Sequence, residues 1–430
     1  MKRYDKYKES GIPWIGEIPE HWEVVSIKRV TSFCPSRREE LNKNTIVGYA
    51  PMERIRYGEM LPLSIKLEEL STGLTYFEEG DIIMAKVTPC FENRNIAIVP
   101  QMANYCGYGS SELFVYRNKE DKVITFYLFY FLQSSHFITK GVSTMTGTGG
   151  LKRVSAKFAK NAPIPLPPLA EQEAIVAYLE EKVAQMDNLV AKQEAQIAYL
   201  QELKQAIIAR AVTQGLDPQA PLRPSSIPWI GAIPEHWEVQ RLGRCFGENR
   251  SLNSDLECTE AYKFNYGSLI RKDENVNPQE LVDTYIKYTL LRENDIVING
   301  LNLNYDFVTQ RVAIATQKGI ITSAYLTLSP RKGINYNYYC LLFKAMDSMK
   351  LFHGMGSGIR LTLSYKDLKN QWLPFPPLAE QEAIVTYINR KTEEIDHLIA
   401  MTEQEIARVR ELKQTLIADV VTGRISVQPS

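Results

Sequence analysis

Basic, amide and aromatic side chains that suit contacts with nucleic acid are concentrated in two stretches of the sequence, residues 25–156 and 240–365. Arg and Lys can contact phosphates and guanine edges, and Asn can pair with the edge of adenine. Glycine-rich segments at 146–153 and 356–360 end in a basic residue, and glycine lets a backbone approach a phosphate closely. These patterns predict nucleic-acid recognition through Arg37, Arg38, Lys86, Arg94, Tyr108, Ser110, Thr148, Lys152, Arg153, Lys263, Tyr266, Arg271, Lys272, Asn299, Asn302, Asn304, Ser357 and Arg360.

Each of these candidates also has a simpler interpretation. A tyrosine in such a stretch is more often a core residue, and the pair Arg37-Arg38 is more often part of a solvated face. The two glycine-rich segments are stronger candidates because they occupy equivalent places in the two stretches. Their backbone could hold a phosphate or could simply form a turn.

Sequence motifs for catalysis are absent from the chain. It contains no Gly-x-x-x-x-Gly-Lys-Ser/Thr phosphate loop, no His-Glu-x-x-His and no Gly-x-Ser-x-Gly. The Asp/Asn-Pro-Pro-aromatic box of amino-methyltransferases is also missing, since both Pro-Pro pairs are followed by Leu-Ala. None of the six cysteines forms a Cys-x-x-Cys pair, which argues against a zinc site or a disulfide framework. We therefore predict a non-catalytic protein with no catalytic residues and no metal site.

Two repeated blocks frame the two stretches and must position them. Residues 12–24 return as 227–239 with one mismatch, Glu17 against Ala232, and residues 167–176 return unchanged as 376–385. The segments between the blocks have nearly equal lengths but unlike sequences. The pattern predicts a domain duplication in which two similar scaffolds carry different specificities. The repeated Trp and His residues are expected to pack rather than to do chemistry.

A long helix is predicted after each second block, over Leu169–Gln214 and Leu378–Thr422, because neither range contains Gly or Pro. Apolar residues recur there at alternating spacings of three and four, which is typical of a coiled coil. We expect the two helices to pair with each other in antiparallel orientation; the alternative is that each packs only on its own globular domain. The predicted seam comprises Val176, Leu179, Val183, Met186, Val190, Gln193, Ile197, Leu200, Ile207, Val385, Ile388, Ile395, Ile399, Thr402, Ile406, Val409 and Leu416.

Two seam positions are polar, Gln193 and Thr402, and they are equivalent in the repeat. In an antiparallel pair they are expected to meet near the middle, where one polar layer can fix register at some cost in stability. Lys204 and Lys413 also interrupt the seam, and their long stems can carry the charge to water.

The two inserts are predicted to share a fold of strands followed by a helix. Short apolar runs introduced by turn residues indicate buried strands, and they occur in the same order in both inserts. The predicted strands are 80–87, 96–99 and 113–116 in the first insert and 294–299, 312–315 and 325–328 in the second; the predicted helices are 124–132 and 336–349.

Composition is compatible with a nucleic-acid-binding protein without requiring one. The chain has 50 basic and 50 acidic residues, but residues 1–168 hold 22 Lys and Arg against 18 Asp and Glu, whereas residues 169–215 hold 4 against 7. The inserts are thus slightly basic and the helices slightly acidic. No apolar run is long enough for a secretory signal or a membrane span, so we expect a cytoplasmic protein that makes no contact with membranes.

The combination of both repeated blocks, each glycine loop and each long helix resembles the DNA-specificity subunit of Type I restriction–modification systems. The resemblance covers the whole chain. It implies an α+β fold that is duplicated about a pseudo-two-fold, with two target-recognition domains (1–168 and 216–377) and two helices (169–215 and 378–430) that form an antiparallel coiled coil. It further implies that each recognition domain reads one half of a split, asymmetric site in double-stranded DNA.

The resemblance also implies partners and places the chemistry on them. Two modification subunits would methylate adenine with S-adenosylmethionine, and separate restriction subunits would use ATP and Mg²⁺ for translocation and cleavage. This chain would need no cofactor of its own. The alternative function is that of a coiled-coil adaptor whose two globular domains bind proteins, and a third is a self-contained enzyme with an unrecognised site.

Overall fold

The computed structural model describes residues 3–37, 41–56, 58–119, 122–148, 150–272, 278–305, 310–356 and 361–427. Contacts divide the chain into two compact units. Unit 1 comprises Met1–Gln193 with Glu403–Ser430, and unit 2 comprises Glu194–Thr402. Each unit therefore combines one insert with a part of each long helix. Whether the four predicted segments behave as separate domains stays a prediction.

The elements up to the first long helix are short strands with a few helices. The strands are β1 (Tyr7–Glu9), β2 (Glu17–Pro19), β3 (Glu23–Ser26), β4 (Thr31–Phe33), β5 (Ile46–Ala50), β6 (Ile55–Arg56), β7 (Glu59–Met60), β8 (Leu63–Lys66), β9 (Thr75–Glu78), β10 (Ile82–Ala85), β11 (Ile96–Ile98), β12 (Cys106–Gly109), β13 (Leu113–Asn118) and β14 (Pro163–Leu166). The helices are α1 (Ile27–Val30), α2 (Thr125–Gln133), α3 (Ser135–Val142), α4 (Ala156–Asn161) and the long α5 (Leu169–Gln214).

The second half of the chain repeats this plan. Its strands are β15 (Leu222–Pro224), β16 (Ala232–Pro234), β17 (Glu238–Arg241), β18 (Phe246–Glu248), β19 (Tyr262–Asn265), β20 (Ser268–Arg271), β21 (Thr289–Leu291), β22 (Ile296–Ile298), β23 (Val312–Ile314), β24 (Gly319–Ile321), β25 (Leu326–Pro330) and β26 (Trp372–Phe375). Its helices are α6 (Leu242–Cys245), α7 (Pro278–Tyr285), α8 (Tyr336–Ser348), α9 (Tyr365–Leu368) and the long α10 (Leu378–Val421).

The same four-stranded antiparallel sheet lies at the centre of both inserts. Its order is β11-β10-β13-β4 in unit 1 and β23-β22-β25-β18 in unit 2. Strands β10 and β22 are buried along their whole length, as expected for continuous apolar runs covered on both faces. The predicted strands and the helices α2 and α8 are therefore confirmed, and so is the prediction that the inserts share a scaffold.

The rest of each insert differs. Unit 1 carries a second four-stranded sheet of order β8-β5-β12-β9, in which β5 and β12 run parallel. The described part of unit 2 has instead the two-stranded pairs β19–β20 and β21–β24. A common central sheet with different additions fits two scaffolds that display different side chains.

The long helices run in opposite directions within each unit. In unit 1, Lys413 near the end of α10 lies 2.6 Å from Asp187 in the first half of α5. In unit 2, Lys204 in the second half of α5 lies 2.7 Å from Asp396 in the first half of α10. The two ion pairs are equivalent, because 209 residues separate Asp187 from Asp396 and Lys204 from Lys413. The predicted α+β architecture with an antiparallel helix pair is thus confirmed.

The predicted seam residues are all buried or half-buried on these helices. Gln193 is 7% exposed and its Oε1 has no hydrogen-bond partner among the described residues, whereas the Thr402 hydroxyl donates to Leu398 O. That Gln193 and Thr402 meet stays a prediction. The lysines that interrupt the seam carry their charge to an aspartate of the opposite helix.

The repeated blocks form one joint in unit 1. His21 Nε2 lies 2.8 Å from Glu171 Oε2 at the start of α5. Trp22 is fully buried against Gly423, which has φ of 76° and is the second residue after the end of α10. A Cβ at Gly423 would lie 3.2 Å from Trp22 Cη2, so glycine serves both the left-handed helix end and the close approach.

Unit 2 contains the equivalent joint with the helices exchanged. His236 Nε2 lies 2.7 Å from Glu380 Oε1 at the start of α10. Trp237 is 1% exposed and packs against Gly215, which follows the end of α5. Each first block thus binds the start of one long helix and the end of the other, which gives its Trp and His residues the packing role expected from the sequence.

Candidate nucleic-acid interface

The glycine-rich segment of unit 1 lies beside two other predicted contact regions. Arg153 pairs with both Val87 and Thr146 in β-bridges, which places the segment against the residues that follow β10. Lys86 donates from Nζ to Ser111 O at 2.6 Å and lies 5.6 Å from the ring centroid of Phe114. The Ser110 hydroxyl accepts from Glu112 N. We call Lys86, Ser110, Glu112, Lys152 and Arg153 the loop cluster.

Only part of the positive charge in the loop cluster is accessible to a phosphate. Arg153 donates two hydrogen bonds to the Glu112 carboxylate, at 2.9 and 2.8 Å. These bonds lower the pKa of Glu112 from its ordinary value, so the carboxylate stays ionised and offsets the guanidinium. Lys152 and Thr148 are exposed. Lys152 is therefore the cation of the cluster best placed for a phosphate.

Arg37 belongs to a second group in unit 1. It donates from Nη1 to the Tyr108 hydroxyl at 2.9 Å, and the Tyr108 ring lies 5.4 Å from that of Tyr76. The Tyr76 hydroxyl donates to Glu78 at 2.8 Å, and burial, followed by this bond, raises the pKa of Tyr76. Arg37 and Tyr76 line an open cavity of about 280 Å³. Arg37 and Tyr108 are thus brought together, whereas Arg38 lies outside the described residues.

Arg94 is half-buried and donates a hydrogen bond within unit 1. Its Nε donates at 3.0 Å to Gln133 O, the last residue of α2. Burial lowers the pKa of Arg94. A half-buried arginine that satisfies a carbonyl at a helix C-terminus is better explained by packing than by DNA contact.

Four predicted contacts in unit 2 lie on or beside the hairpin formed by β19 and β20. Lys263 and Tyr266 are exposed. Arg271 forms two hydrogen-bonded contacts of 2.8 Å with the Glu260 carboxylate. Lys272 donates from Nζ to the Tyr288 hydroxyl at 3.1 Å. The hairpin therefore presents Lys263 and Tyr266 outward, while the other two are engaged at its base.

The segment after β22 in unit 2 corresponds to the segment after β10 in unit 1, which carries Lys86 of the loop cluster. Asn302 is exposed with φ of 52°, and Asn299 and Asn304 are half-buried. The backbone of this segment pairs with residues that follow the second glycine-rich loop, through Leu303 N to Leu361 O and Leu363 N to Gly300 O. In both units the structure thus brings the segment after the central strand to the glycine loop. Ser357 and Arg360 of that loop lie outside the described residues.

The residue that holds this segment in place was not identified from the sequence. Arg311 is fully buried, and its Nη1 donates to Asn299 O at 3.0 Å and to Leu301 O at 2.8 Å. Its backbone N–H donates to Asp347, whose pKa is raised by burial. A buried charge needs such compensation, and nothing in the sequence distinguishes Arg311 from a surface arginine.

Among the described residues, no group of three or more His, Cys, Asp or Glu side chains is placed to hold a metal ion. No described helix is long and apolar enough to cross a membrane.

The chain matches a family model in both halves. The model of the Type I restriction modification DNA specificity domain matches residues 19–199 and 234–409, which is more than half of the sequence. The chain belongs to the Type I restriction-modification DNA specificity family. Each match contains one insert together with most of the helix that follows it.

Curated relatives support this assignment over different lengths. The specificity subunit of Type I restriction enzyme EcoAI from Escherichia coli is 33% identical over 195 residues, 45% of this chain and 33% of that protein. The chain thus spans about a third of the length of that E. coli relative. The putative MjaX specificity subunit from Methanocaldococcus jannaschii is 26% identical over 435 residues, with 96% of each chain covered.

Solved structures show the same fold. A chain from a structural study of complex assembly and conformational transition of the type I R-M system has a TM-score of 0.69 at 21% identity, covering 94% of this chain and 98% of that one. The HsdS subunit from Thermoanaerobacter tengcongensis has a TM-score of 0.52 at 21% identity, covering 95% and 98%.

Proposed function

We propose that this protein is the specificity subunit of a Type I restriction–modification complex and reads a bipartite, asymmetric site in double-stranded DNA. The insert of unit 1 reads one half of the site, here called half-site 1, and the insert of unit 2 reads half-site 2. Phosphate contacts set the register of each insert on the duplex, and base contacts set the sequence.

The observation that carries the proposal is the pair of equivalent joints. His21 with Glu171 and His236 with Glu380 attach two different inserts to the same antiparallel helix pair in the same way. A scaffold that is repeated so closely, while its displayed side chains differ, suits a protein that reads two sequences with a set separation. The helix pair would fix that separation.

The chemistry of the complex would come from other subunits. We propose that two modification subunits bring S-adenosylmethionine for adenine methylation and that restriction subunits bring ATP and Mg²⁺. This chain would contribute recognition and docking, act in the cytoplasm, and hold no cofactor. The family membership and the lack of catalytic motifs in the sequence support this division.

Selection of bound duplexes from a random library, with the chain assembled on its modification subunit, tests the proposal. We expect two short defined sequences separated by a gap of constant length. Adding one heptad inside Leu169–Gln214 and one inside Leu378–Val421 should widen the gap and leave both sequences as they were. Altered sequences with an unchanged gap would contradict the role of the helices.

A titration with duplex DNA at two salt concentrations separates this function from that of a protein-binding adaptor. Neutralised phosphates release counterions, so a DNA-reading subunit should bind more weakly at the higher salt with a steep slope. Binding that is absent, or that does not change with salt, would favour the adaptor.

A further inference from the structure

The hairpin of unit 2 ends in an unusual residue. Strands β19 and β20 are joined by the two residues Tyr266 and Gly267, with Asn265 opposite Ser268. Both loop residues have positive φ, 41° and 75°. Positive φ at both positions is the signature of a type I′ turn, which favours Asn or Asp followed by Gly. A tyrosine in this conformation is strained, because its Cβ lies too close to the following carbonyl oxygen.

Burial of the Tyr266 ring does not offset the strain of its backbone conformation. Its side chain is 70% exposed, so it gains little from burial. Residues held in sparsely populated backbone regions cluster at functional sites. The fold of unit 2 would be served better by asparagine at this position, which points to a use of the ring outside folding.

The two faces of the hairpin are sharply different. Phe264 and Leu269 pack inward, and the Phe264 ring makes an edge contact with Tyr325 at 5.7 Å. The opposite face carries Lys263, Asn265 and Ser268 together with Ile270, which lies opposite Lys263, and all four are exposed. One face therefore anchors the hairpin to unit 2, and the other presents a cation, an amide and a hydroxyl.

The turn itself is fixed to the central sheet. Gly267 N donates at 3.0 Å to the carbonyl of Gln310, two residues before β23. A Cβ at Gly267 would lie 2.7 Å from Gln310 Oε1, so a larger residue would have to displace that side chain. The turn therefore has a fixed position relative to the central sheet of unit 2.

Unit 1 also has a hairpin that is held against its central sheet. Strands β6 and β7 are joined by two residues, Tyr57 and Gly58, with Arg56 opposite Glu59. Gly58 has φ of 93°, and its N–H donates at 3.0 Å to Ile96 O at the start of β11. Tyr57-Gly58 precedes Tyr266-Gly267 by 209 residues in otherwise unlike inserts. Tyr57 itself lies outside the described residues.

We propose that the hairpin of unit 2 is the element that enters the DNA groove and that it places Tyr266 against the base pairs of half-site 2. The inference rests on the proposed function. A two-stranded ribbon fits the major groove of B-DNA, and the aromatic ring at the tip then reaches the bases. Lys263 contacts a phosphate and Asn265 an adenine edge in half-site 2.

Replacement of Tyr266 by Asn in the full chain, assembled with the modification subunit, tests the proposal. Affinity for duplexes that carry both half-sites should fall about tenfold, the scale of one lost contact with a base edge in the major groove. Preference at one or two base pairs of half-site 2 should relax, while half-site 1 is selected as before. The melting temperature should stay the same or rise, because asparagine suits the turn. Tyr266→Phe keeps the ring and should retain the base preference.

Tyr57→Asn changes the Tyr-Gly pair of the first insert and serves as the control, since it should leave the base preference in half-site 2 as it was. A Tyr266→Asn chain with unchanged affinity and unchanged preference in half-site 2 would overturn the proposal. A lower melting temperature for that variant would also overturn it, since the tyrosine would then be a structural residue. If the unaltered chain selects no sequence at all, the proposed function has failed, which is distinct from either result.

Discussion

His236 and Glu380 join the first repeated block of unit 2 to the start of its long helix, with Nε2 2.7 Å from Oε1. The other oxygen of the same carboxylate accepts the indole N–H of Trp237 at 2.8 Å. Glu380 therefore does more than favour the helix dipole: it ties together two blocks that are 144 residues apart.

The equivalent joint in unit 1 differs in one detail. His21 pairs with Glu171 in the same way, but the Trp22 Nε1 has no hydrogen-bond partner among the described residues. The histidine–glutamate contact is thus the common part of the joint. Because it uses residues of the repeated blocks alone, the inserts can vary without disturbing the attachment of either unit to its helices.

A buried glutamine beside each joint should be important for stability. Gln172 is fully buried; its Oε1 accepts from Ile124 N at 2.9 Å and its Nε2 donates to Pro167 O at 2.9 Å. Gln172→Ala would leave both backbone groups without a partner, at a cost of about 1–3 kcal/mol for each buried polar group. Denaturant unfolding should show a loss of roughly 2–6 kcal/mol.

The matched control is Glu173→Ala, since Glu173 is exposed on the same helical turn and its loss should change the unfolding free energy by less than about 0.5 kcal/mol. Gln381→Ala should repeat the Gln172 result, because Gln381 binds Asn335 N and Pro376 O. Equal effects of Gln172→Ala and Glu173→Ala would contradict the assignment.

The contribution of the ion pair between Asp187 and Lys413 to stability can be measured by exchanging the two charges. Asp187→Lys places two cations opposite each other and should destabilise the protein, and adding Lys413→Asp should recover most of the loss. The pair is partly exposed, with Asp187 at 56% and Lys413 at 23%, so we expect a coupling of about 0.2–1 kcal/mol. Thermal unfolding of the four chains at low and high salt measures it.

A coupling that is zero at both salt concentrations would show that apolar seam residues alone fix the helix register. The equivalent swap of Lys204 with Asp396 serves as an internal replicate.

The sequence predicts the scaffold well because the scaffold obeys local rules. Helix α5 begins at Leu169 and α10 at Leu378, where the Pro-Pro pair ends and apolar residues at spacings of three and four begin. The strands β10 and β22 follow from short apolar runs after a turn. Repeated blocks, offset by 215 and by 209 residues, then show that the chain is duplicated.

The candidate interface is less predictable because it depends on contacts between distant segments. Arg153 is paired with Glu112 and Arg94 with a helix carbonyl, although both resemble Lys152 in the sequence. Arg311 is buried, and its partners, Asn299 and Leu301, lie on a neighbouring segment. The sequence shows that a cation is present. Only the fold shows whether that cation already has a partner within the protein.

Lys152 and Arg153 should therefore differ in DNA binding. Lys152→Ala should lower the slope of log affinity against log salt by about 0.9, the value for one lost phosphate contact. Arg153→Ala should lower it less, because the guanidinium is engaged by Glu112. Titrations of duplex DNA over a range of salt concentrations give both slopes. A larger change for Arg153→Ala would mean that DNA displaces Glu112.

His136 should make the stability of unit 1 depend on pH. Burial is the main cause that lowers the pKa of His136; Arg424 lowers it further, and Asp419 opposes them. A lowered pKa in the folded state means that the unfolded chain binds the proton more readily. The contribution of His136 is therefore fully present above the unfolded pKa of about 6.5 and is lost as pH falls through the folded pKa. Melting temperatures measured from pH 8 to pH 5 should fall toward acid, and His136→Asn should reduce that fall. An unchanged pH profile in His136→Asn would assign the acid sensitivity to other groups.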